Sequence, residues 1–244
     1  MENFLKWNLQ IYRRDFTINS LAYDIVENNI LDIYGGIDDI KNKVLRKIHF
    51  NSYREDPTRI FRAVKYSVRY GFYLEDKLEI EKCINENIFN TISNDRIVKE
   101  IYSLCSEINW IKNINLCSIL GIFNIDGQAL KVKYSDYEKE LISIYKNVDI
   151  RILRLAYSLK DEVYVNILIE NSILNRKLKN TVKYFSQNLH KVINFMKNTL
   201  DNYELYQLLK GMNDYELVFL SWYYELKYKI YNYIDNISTY KLSL

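Results

Sequence analysis

The sequence predicts a mainly α-helical protein. The chain has only six glycines and one proline in 244 residues, too few for the many tight turns of a β-sandwich or barrel. Long runs rich in Leu, Ile, Lys and Glu instead repeat their apolar residues with the period of a helix. With 48% hydrophobic residues the chain can bury a large core, as one elongated unit or as two to three small ones.

Composition also excludes two classes of protein. No run approaches the roughly 18 apolar residues of a membrane-spanning helix, and the first twenty residues lack the order of a signal peptide. We therefore expect a cytoplasmic protein with no membrane partner. The three cysteines are widely spaced and have no histidine partners, which indicates neither a disulfide framework nor a zinc site. We expect Cys83, Cys105 and Cys117 to be reduced core residues.

The N-terminal part predicts a small sheet. An apolar cluster within residues 4–9 favours a strand, namely Phe4, Leu5, Trp7 and Leu9. Residues 17–22 predict a short helix that directs Leu21 and Ala22 inward. Two apolar runs, 23–26 and 30–34, surround Glu27-Asn28-Asn29 and predict a hairpin. Gly35-Gly36 then allows a tight turn into a helix with Asp38 or Asp39 in its first turn.

Residues 57–70 hold the best-defined predicted helix. Asp56 is a good N-cap, and Pro57 suits the first helical position because its missing N–H would have no partner there. Gly71 can end the helix in a left-handed conformation. Helical spacing predicts an apolar face and an opposite polar face. The apolar face carries Ile60, Phe61, Val64 and Val68, and the polar face carries Arg59, Arg62, Tyr66 and Arg69.

The polar face of this helix has two interpretations. A solvated surface with arginines for solubility is the simpler one. Asp56 and Arg59, however, put an acceptor-only carboxylate beside a planar fork of donors at a helix start. Such a pair can match the edge of a nucleobase by hydrogen bonds.

Periodicity predicts further helices along the chain. One runs from about 75 to 88, with Leu78, Cys83 or Ile84, and Ile88 toward the core. Ser93 caps the next, in which Arg96 and Glu100 form an i, i+4 pair that we interpret as a structural brace. Another runs from about 110 to 120 and stops at Gly121. Distal helices are expected at 128–146, 150–160, 162–174, 176–198, 203–210 and 214–232, with most tyrosines there in the core.

Basic residues are concentrated in two zones. Residues 41–70 contain nine Lys or Arg against Glu55 and Asp56, and residues 171–200 contain six Lys or Arg and no Asp or Glu. Two separate basic zones suit a long polyanionic substrate, although solvated helix faces explain the second zone equally well. Within that zone the candidate RNA-binding residues are Arg176, Lys177, Lys179 and Lys183.

Four sequence blocks resemble a known family, the class II tRNA nucleotidyltransferases (CCA-adding enzymes) and bacterial poly(A) polymerases. Residues 13–23 read Arg-Arg-Asp-Phe-Thr-Ile-Asn-Ser-Leu-Ala-Tyr, and residues 55–59 read Glu-Asp-Pro-Thr-Arg. Residues 92–97, Ile-Ser-Asn-Asp-Arg-Ile, are similar to a helix start of the family, and residues 32–40 resemble its Gly-Gly link, with Ile33 in place of the usual proline. The resemblance covers about residues 10–126, roughly half of the chain.

The resemblance implies both a fold and a site. It implies a partial nucleotidyltransferase head at 1–44, a helical neck with a base-reading motif at 45–126, and a helical body and tail at 127–244 that binds RNA. It also implies that one group of residues binds the nucleotide, with ATP and CTP as substrates and the 3′ end of tRNA or another RNA as partner. These residues are Arg14, Asp15, Asn19, Asp56, Arg59 and Arg62.

The metal-binding part of the family's site has no counterpart in this sequence. The family uses Mg²⁺ held by an Asp-x-Asp pair, and no two aspartates of this chain are two positions apart. With only His49 and His190 in the chain, a histidine-based metal centre is excluded as well. We therefore expect no catalytic and no metal-binding residue, and no activity from this chain alone.

Two functions remain open on the sequence. The first is the nucleotide-selecting and RNA-binding portion of a CCA-adding or poly(A)-adding enzyme, whose metal-binding head lies upstream or on a separate chain. The second is a non-catalytic RNA-binding or regulatory module that keeps the fold without the chemistry.

Overall fold

The structure is a computed structural model that describes residues 11–122, 148–158, 169–170, 174–198, 201–221 and 224–237. It divides into two compact units, Met1–Asn124 and Ile125–Leu244. The mainly α fold is confirmed, with a small amount of sheet. The predicted strand at 4–9, the helix at 128–146 and most of the helix at 162–174 lie outside the described residues. Within the described residues, no helix combines the length and apolarity needed to cross a bilayer.

The first unit begins with a 3₁₀ turn and the predicted hairpin. Thr17–Asn19 forms the 3₁₀ turn, so the short helix expected at 17–22 is wrong in extent. Ala22 instead opens strand β1 (Ala22–Asp24), which pairs antiparallel with β2 (Asn29–Leu31). Asn28 takes the left-handed conformation in the connecting turn.

Helix α1 (Gly36–Asn42) follows the hairpin and lies against the 3₁₀ turn. The Asp32 carboxylate accepts hydrogen bonds from the N–H groups of Gly36 and Ile37 at its start. Only glycine fits at position 36, where α1 contacts the 3₁₀ turn, because a Cβ there would lie 2.3 Å from the Thr17 carbonyl oxygen. The buried Asp39 carboxylate accepts a hydrogen bond of 2.6 Å from the Thr17 hydroxyl. Helix α1 therefore fixes the segment that begins at Thr17.

A short parallel pairing joins the next elements, and the sequence did not predict it. Strand β3 (Val44–Leu45) pairs with β4 (Tyr73–Leu74). The chain that follows β3 also bonds to the start of the 3₁₀ turn and the residues before it. The Thr17 N–H donates to Arg46 O, and the Ile48 N–H donates to Asp15 O. Asp15 is thus held by backbone hydrogen bonds beside the central strand.

Helix α3 (Thr58–Tyr70) follows the four-residue helix α2 (Ser52–Glu55) and matches the predicted 57–70 within one residue. Asp56 accepts from the Thr58 N–H as a cap, and Gly71 ends the helix with φ of +68°. Ile60, Phe61 and Val64 are fully buried. The apolar face of α3 packs against two later helices, which leaves its arginine face outward.

Those later helices complete the first unit. They are α5 (Asn94–Cys105), with Ser93 as its predicted N-cap, and α6 (Trp110–Ile119), which ends before Gly121 as predicted. Helix α4 (Lys77–Asn85) is shorter than expected and is followed by a 3₁₀ turn at Ile88–Thr91. Leu78 is 81% exposed, so its predicted place in the core is wrong. Cys83 and Ile88 are buried as predicted, and Ile80 is buried as well. All three cysteines are reduced and buried, as predicted.

The second unit is helical over the residues that the structure describes. Helix α8 (Arg176–Asn198) has the predicted bounds and packs against α7 (Ile150–Ser158). Helices α9 (Asn202–Leu209), α10 (Asp214–Ser221) and α11 (Tyr224–Asn232) follow, and a π-helical turn at Tyr233–Ile237 continues the last. Of the tyrosines expected in the core, Tyr233 is buried, whereas Tyr203 and Tyr228 are exposed.

Candidate functional site

A polar cavity of about 490 Å³ lies between the segment around Asp15 and the outward face of α3. Its lining is almost entirely charged or hydrogen-bonding side chains, with four arginines and three carboxylates. The lining residues are Arg13, Arg14, Asp15, Asn19, Asp56, Thr58, Arg59, Arg62, Tyr66 and Glu100. The excess of positive charge suits an anionic ligand.

Asp15 lies at the back of this cavity with 5% of its surface exposed. Its Oδ1 accepts hydrogen bonds from the Phe16 N–H at 3.0 Å and from Asn19 Nδ2 at 2.9 Å. Its Oδ2 accepts from Arg62 Nε at 2.6 Å. Asp15 therefore sets the position of the Arg62 guanidinium, and Asn19 in turn orients Asp15.

Arg62 and Tyr66 form the wall of the cavity one turn further along α3. Arg62 donates through an Nη to the Tyr66 hydroxyl at 3.1 Å, and its guanidinium lies 5.4 Å from the Tyr66 ring centre. Burial raises the pKa of Tyr66, opposed by the neighbouring Arg62 charge. The tyrosine is therefore a neutral hydroxyl at physiological pH.

Glu100 enters the cavity from α5. Burial raises the pKa of its carboxyl above the ordinary value, while the Lys65 and Arg62 charges oppose the rise. Lys65 donates to the Ser103 hydroxyl at 3.0 Å, and burial lowers its pKa. Lys65 on α3 and Glu100 on α5 therefore lie between these two helices.

Asp56 is held by one of its two carboxylate oxygens. Oδ1 accepts from the Thr58 N–H, from the Thr58 hydroxyl at 2.7 Å and from Arg96 at 2.9 Å. No donor among the described residues contacts Oδ2, and about a third of the side chain is exposed. Oδ2 is therefore left to accept a hydrogen bond from a ligand.

The predicted Arg96–Glu100 pair is corrected by the structure, because Arg96 bonds to Asp56. Its guanidinium bridges from α5 to Asp56 at the start of α3 instead of bonding along its own helix. The interpretation of Arg96 as a brace between helices is confirmed, although its partner was not predicted. This contact fixes the position of the Asp56 carboxylate.

Arg59 is fixed beside Asp56. One Nη donates to the Ser52 hydroxyl at 2.8 Å, and the other donates to the Arg13 carbonyl oxygen at 2.9 Å. Among the described residues, no acceptor contacts Arg59 Nε. Within one cavity, the described residues thus leave a carboxylate oxygen of Asp56 without a donor and the Nε of Arg59 without an acceptor.

All six predicted nucleotide-binding residues line this one cavity, whereas the sequence did not single out four others. Arg14, Asp15, Asn19, Asp56, Arg59 and Arg62 come together as the pattern suggested. Arg13, Thr58, Tyr66 and Glu100 join them. For Tyr66, the one sequence signal that could have predicted its place in the cavity is its position on the same face of α3 as Arg62.

The predicted RNA-binding residues lie in the second unit, on α8. Arg176, Lys179 and Lys183 are spaced so that they share one face of the helix, and the Lys177 side chain lies outside the described set. Lys179 donates to the Glu170 backbone carbonyl at 2.7 Å, and Lys183 pairs with the Glu170 carboxylate. Lys183 lowers the pKa of Glu170 by this hydrogen bond. A carboxylate just before the acid-free stretch therefore neutralises part of the predicted basic zone.

Comparison with known proteins identifies similar sequences and structures. The sequence model of the poly A polymerase head domain matches residues 2–46. An A-adding tRNA nucleotidyltransferase of Aquifex aeolicus is 28% identical over 95% of this chain and 30% of its own length. A solved structure described as a tRNA-processing enzyme (apo form I) has a TM-score of 0.72 at 26% identity, over 95% of this chain and 67% of that chain.

The chain is thus similar to tRNA nucleotidyltransferases and CCA-adding enzymes over more than half of its length. A Thermotoga maritima CCA-adding enzyme complexed with tRNA has the same fold, with a TM-score of 0.73 at 24% identity over 98% of this chain and 62% of that chain. The chain spans less than a third of the length of its Aquifex relative. The similarity therefore covers most of this chain and a minor part of that relative.

The Mg²⁺ that the family implies does not fit the side chains seen here. In the described parts of the chain, no three His, Cys, Asp or Glu side chains lie close enough together to hold a metal ion. Two of the three carboxylates of the cavity, Asp15 and Asp56, are already bonded to Arg62 and Arg96. The cavity is therefore built to hold a ligand by hydrogen bonds and charge.

Proposed function

We propose that this protein selects CTP and ATP in the cavity of the first unit and binds the 3′ part of tRNA through the second unit. The observation that carries the proposal is that one cavity holds Asp56 Oδ2, which has no donor among the described residues, and Arg59 Nε, which has no acceptor there. The proposal places the chain in nucleotide addition to tRNA 3′ ends, the process for which its relatives are named.

The hydrogen-bonding groups of the bases explain why this pair would select cytosine and adenine. Both bases present an amino donor next to a ring-nitrogen acceptor, which a carboxylate and a guanidinium satisfy together. Guanine and uracil present a carbonyl acceptor next to a ring N–H, which is the reverse order. A base held in one orientation would then leave the Asp56 carboxylate facing another acceptor, and buried unpaired groups are costly.

The rest of the cavity suits the ribose and phosphates. Arg14 has no side-chain partner among the described residues, so its guanidinium is available for a phosphate, for which its planar fork is well matched. Asp15 and Asn19 fix Arg62 as a second cation nearby. Asp56 and Arg59 therefore bind the base, and Arg14 and Arg62 bind the phosphates.

The tRNA contact rests on different support. A structural relative is described as complexed with tRNA, and the same-face basic residues of α8 suit a phosphate backbone. Because Lys183 already pairs with Glu170, we assign the larger share of this contact to Arg176 and Lys179.

We further propose that a polypeptide of these 244 residues binds nucleotides without transferring them. Two-metal phosphoryl transfer needs paired carboxylates to place the cations, and the sequence holds no Asp-x-Asp pair. A separate chain that carries such a pair would supply the missing ligands. Cavity residues that already bond one another select and hold the nucleotide but do not place a metal.

The test is an incorporation assay with matched binding measurements. The purified chain is given Mg²⁺, radiolabelled CTP and ATP, and tRNA that lacks its 3′ end, and calorimetry measures binding of each nucleotide separately. We expect binding of CTP and ATP and no addition above background. Metal-dependent addition by the pure protein would contradict the proposed lack of transfer, and absence of any nucleotide binding would contradict the proposed selection.

A further inference from the structure

His49 contacts Arg59 and has no role in the base selection proposed above. It belongs to the segment between β3 and α2, and its side chain is only 8% exposed. The imidazole stacks on the Tyr12 ring with 4.5 Å between ring centres and 18° between planes. The ring is therefore held in one orientation on its flat side.

The Nε2 atom of His49 faces two opposite charges at equal distance. The Arg59 guanidinium lies 3.4 Å away from Nε2, and Glu55 Oε2 also lies 3.4 Å away. The other charge that acts on the ring is Lys47, from the same segment of chain. A single nitrogen cannot accept from Arg59 and donate to Glu55 at once, so its protonation decides which partner it takes.

We propose that His49 is a positioning residue for Arg59. With Nε2 bare, His49 accepts a hydrogen bond from Arg59, and with Nε2 protonated it pairs with Glu55 and repels Arg59. This inference rests on the proposed function, since it makes the readiness of Arg59 for a nucleobase dependent on pH.

The remaining contacts of Arg59 show why the effect is graded. Ser52 and the Arg13 carbonyl still hold the guanidinium when His49 withdraws. Protonation removes one acceptor and adds a positive charge 3.4 Å away, so it loosens Arg59 without expelling it. Nucleotide binding should therefore weaken at acid pH and not vanish.

The direction of the pH dependence follows from the surroundings of the ring. Burial lowers the pKa of His49 below its ordinary value, with Glu55 raising it and Arg59 and Lys47 lowering it further. The neutral imidazole therefore predominates at physiological pH, and its tautomer with the proton on Nδ1 is the form that accepts from Arg59. As pH falls through the lowered pKa, the fraction with Arg59 held by His49 decreases.

The first experiment measures the coupling between His49 and its two partners without any nucleotide. NMR titration follows the imidazole carbon-bound proton of His49, and a His190→Gln variant assigns the signal, because these are the only two histidines. We expect Arg59→Gln to raise the His49 pKa by roughly half a unit to one unit and Glu55→Gln to lower it. A His49 pKa that does not move in Arg59→Gln would overturn the proposal.

The second experiment measures CTP binding between about pH 5.5 and 7.5, where histidine titrates. The affinity of the wild type is divided by that of His49→Gln at each pH, so that titration of the nucleotide phosphates cancels. We expect this ratio to fall roughly three- to tenfold toward acid pH, since each tenfold corresponds to about 1.4 kcal/mol. His49→Phe keeps the stacking on Tyr12 without the nitrogen and should bind weakly at every pH.

The two experiments separate the possible failures. A ratio that stays constant while CTP binds would overturn the role of His49 and leave the proposed function intact. If no nucleotide binds at any pH, the proposed function fails, and the NMR titration alone then decides whether His49 positions Arg59.

Discussion

The charged side chains of the first unit meet one another at a cavity, whereas those of the second unit follow one face of a helix. Around the cavity, Asp15 pairs with Arg62 and Asp56 with Arg96, so that each contact joins segments far apart in the sequence. On α8 the basic residues are arranged by helical spacing, and Glu170 supplies their one described carboxylate partner. Convergence of distant segments indicates a site for a small ligand, and a repeated charge along one helix suits a long polyanion.

The first unit uses special backbone contacts to bring its segments together. Gly36 permits close contact of α1 with Thr17, and backbone hydrogen bonds attach Asp15 to Ile48. These contacts make the cavity sensitive to single substitutions. The basic face of α8 should instead lose function gradually, one cation at a time.

The largest expected effect is on the buried carboxylate of the cavity. Asp15→Ala removes the acceptor of three hydrogen bonds and leaves the Arg62 guanidinium half-buried without its partner. We expect the free energy of unfolding of the first unit to fall by about 2 to 4 kcal/mol. Urea unfolding followed by the NMR signal of the buried Trp110 indole measures it.

The matched control is an exposed aspartate of the same unit. Asp38 is 79% exposed, and among the described residues its one ion pair is with Lys41 in the next helical turn. Surface pairs contribute little, so Asp38→Ala should cause no measurable loss. Equal losses for the two variants would mean that the buried network does not stabilise the cavity.

A second prediction concerns the contact between α1 and the 3₁₀ turn. In Gly36→Ala the added Cβ would lie 2.3 Å from the Thr17 carbonyl oxygen, so the backbone must shift. We expect a loss of about 2 to 3 kcal/mol in unfolding free energy and weaker CTP binding, because Thr17 lies two residues from Asp15.

Gly35 is the control for this substitution. It has φ of +74° and open space around it, so Gly35→Ala costs only the left-handed conformation, about 1 kcal/mol. If Gly35→Ala proves the more damaging variant, close packing at Gly36 is not what holds the segment.

The smallest expected effect belongs to the second unit and tests the other half of the comparison. Replacing Arg176, Lys177, Lys179 and Lys183 together by alanine should weaken tRNA binding and reduce the salt dependence of the affinity. Each lost phosphate contact should lower the slope by roughly one. Because Lys183 is paired with Glu170, we expect a total below four. Equal slopes for variant and wild type would leave α8 a solvated surface.

The elements that the sequence predicted well have local signals. Helix α3 has Asp56 and Pro57 at its start and Gly71 at its end, and α8 has a long unbroken period. The parallel pairing of β3 with β4 was missed, because strands of two residues carry no periodicity and their partners lie about thirty residues apart. Leu78 was misplaced because α4 begins only at Lys77 and buries the face of Ile80 and Cys83.

The same distinction holds for the candidate site. Its members could be proposed because two short blocks contain five of them and Arg62 follows the second block by three residues, and all six line the cavity. Their partners could not be predicted, since Arg96 reaches Asp56 across forty residues and Arg59 bonds to a carbonyl oxygen that any residue could provide. A local sequence pattern thus indicated which side chains take part, and only the fold shows which atoms remain available for a ligand.

The most direct test of the account is calorimetric binding of CTP, ATP, GTP and UTP to the wild type, Arg59→Ala and Arg59→Lys. We predict that the wild type prefers CTP and ATP and that Arg59→Ala loses about 1 to 3 kcal/mol of that preference. Arg59→Lys should not restore the preference, because a point charge lacks the planar fork. Equal affinity of the wild type for all four nucleotides, or an unchanged preference in Arg59→Ala, would contradict base selection by Asp56 and Arg59.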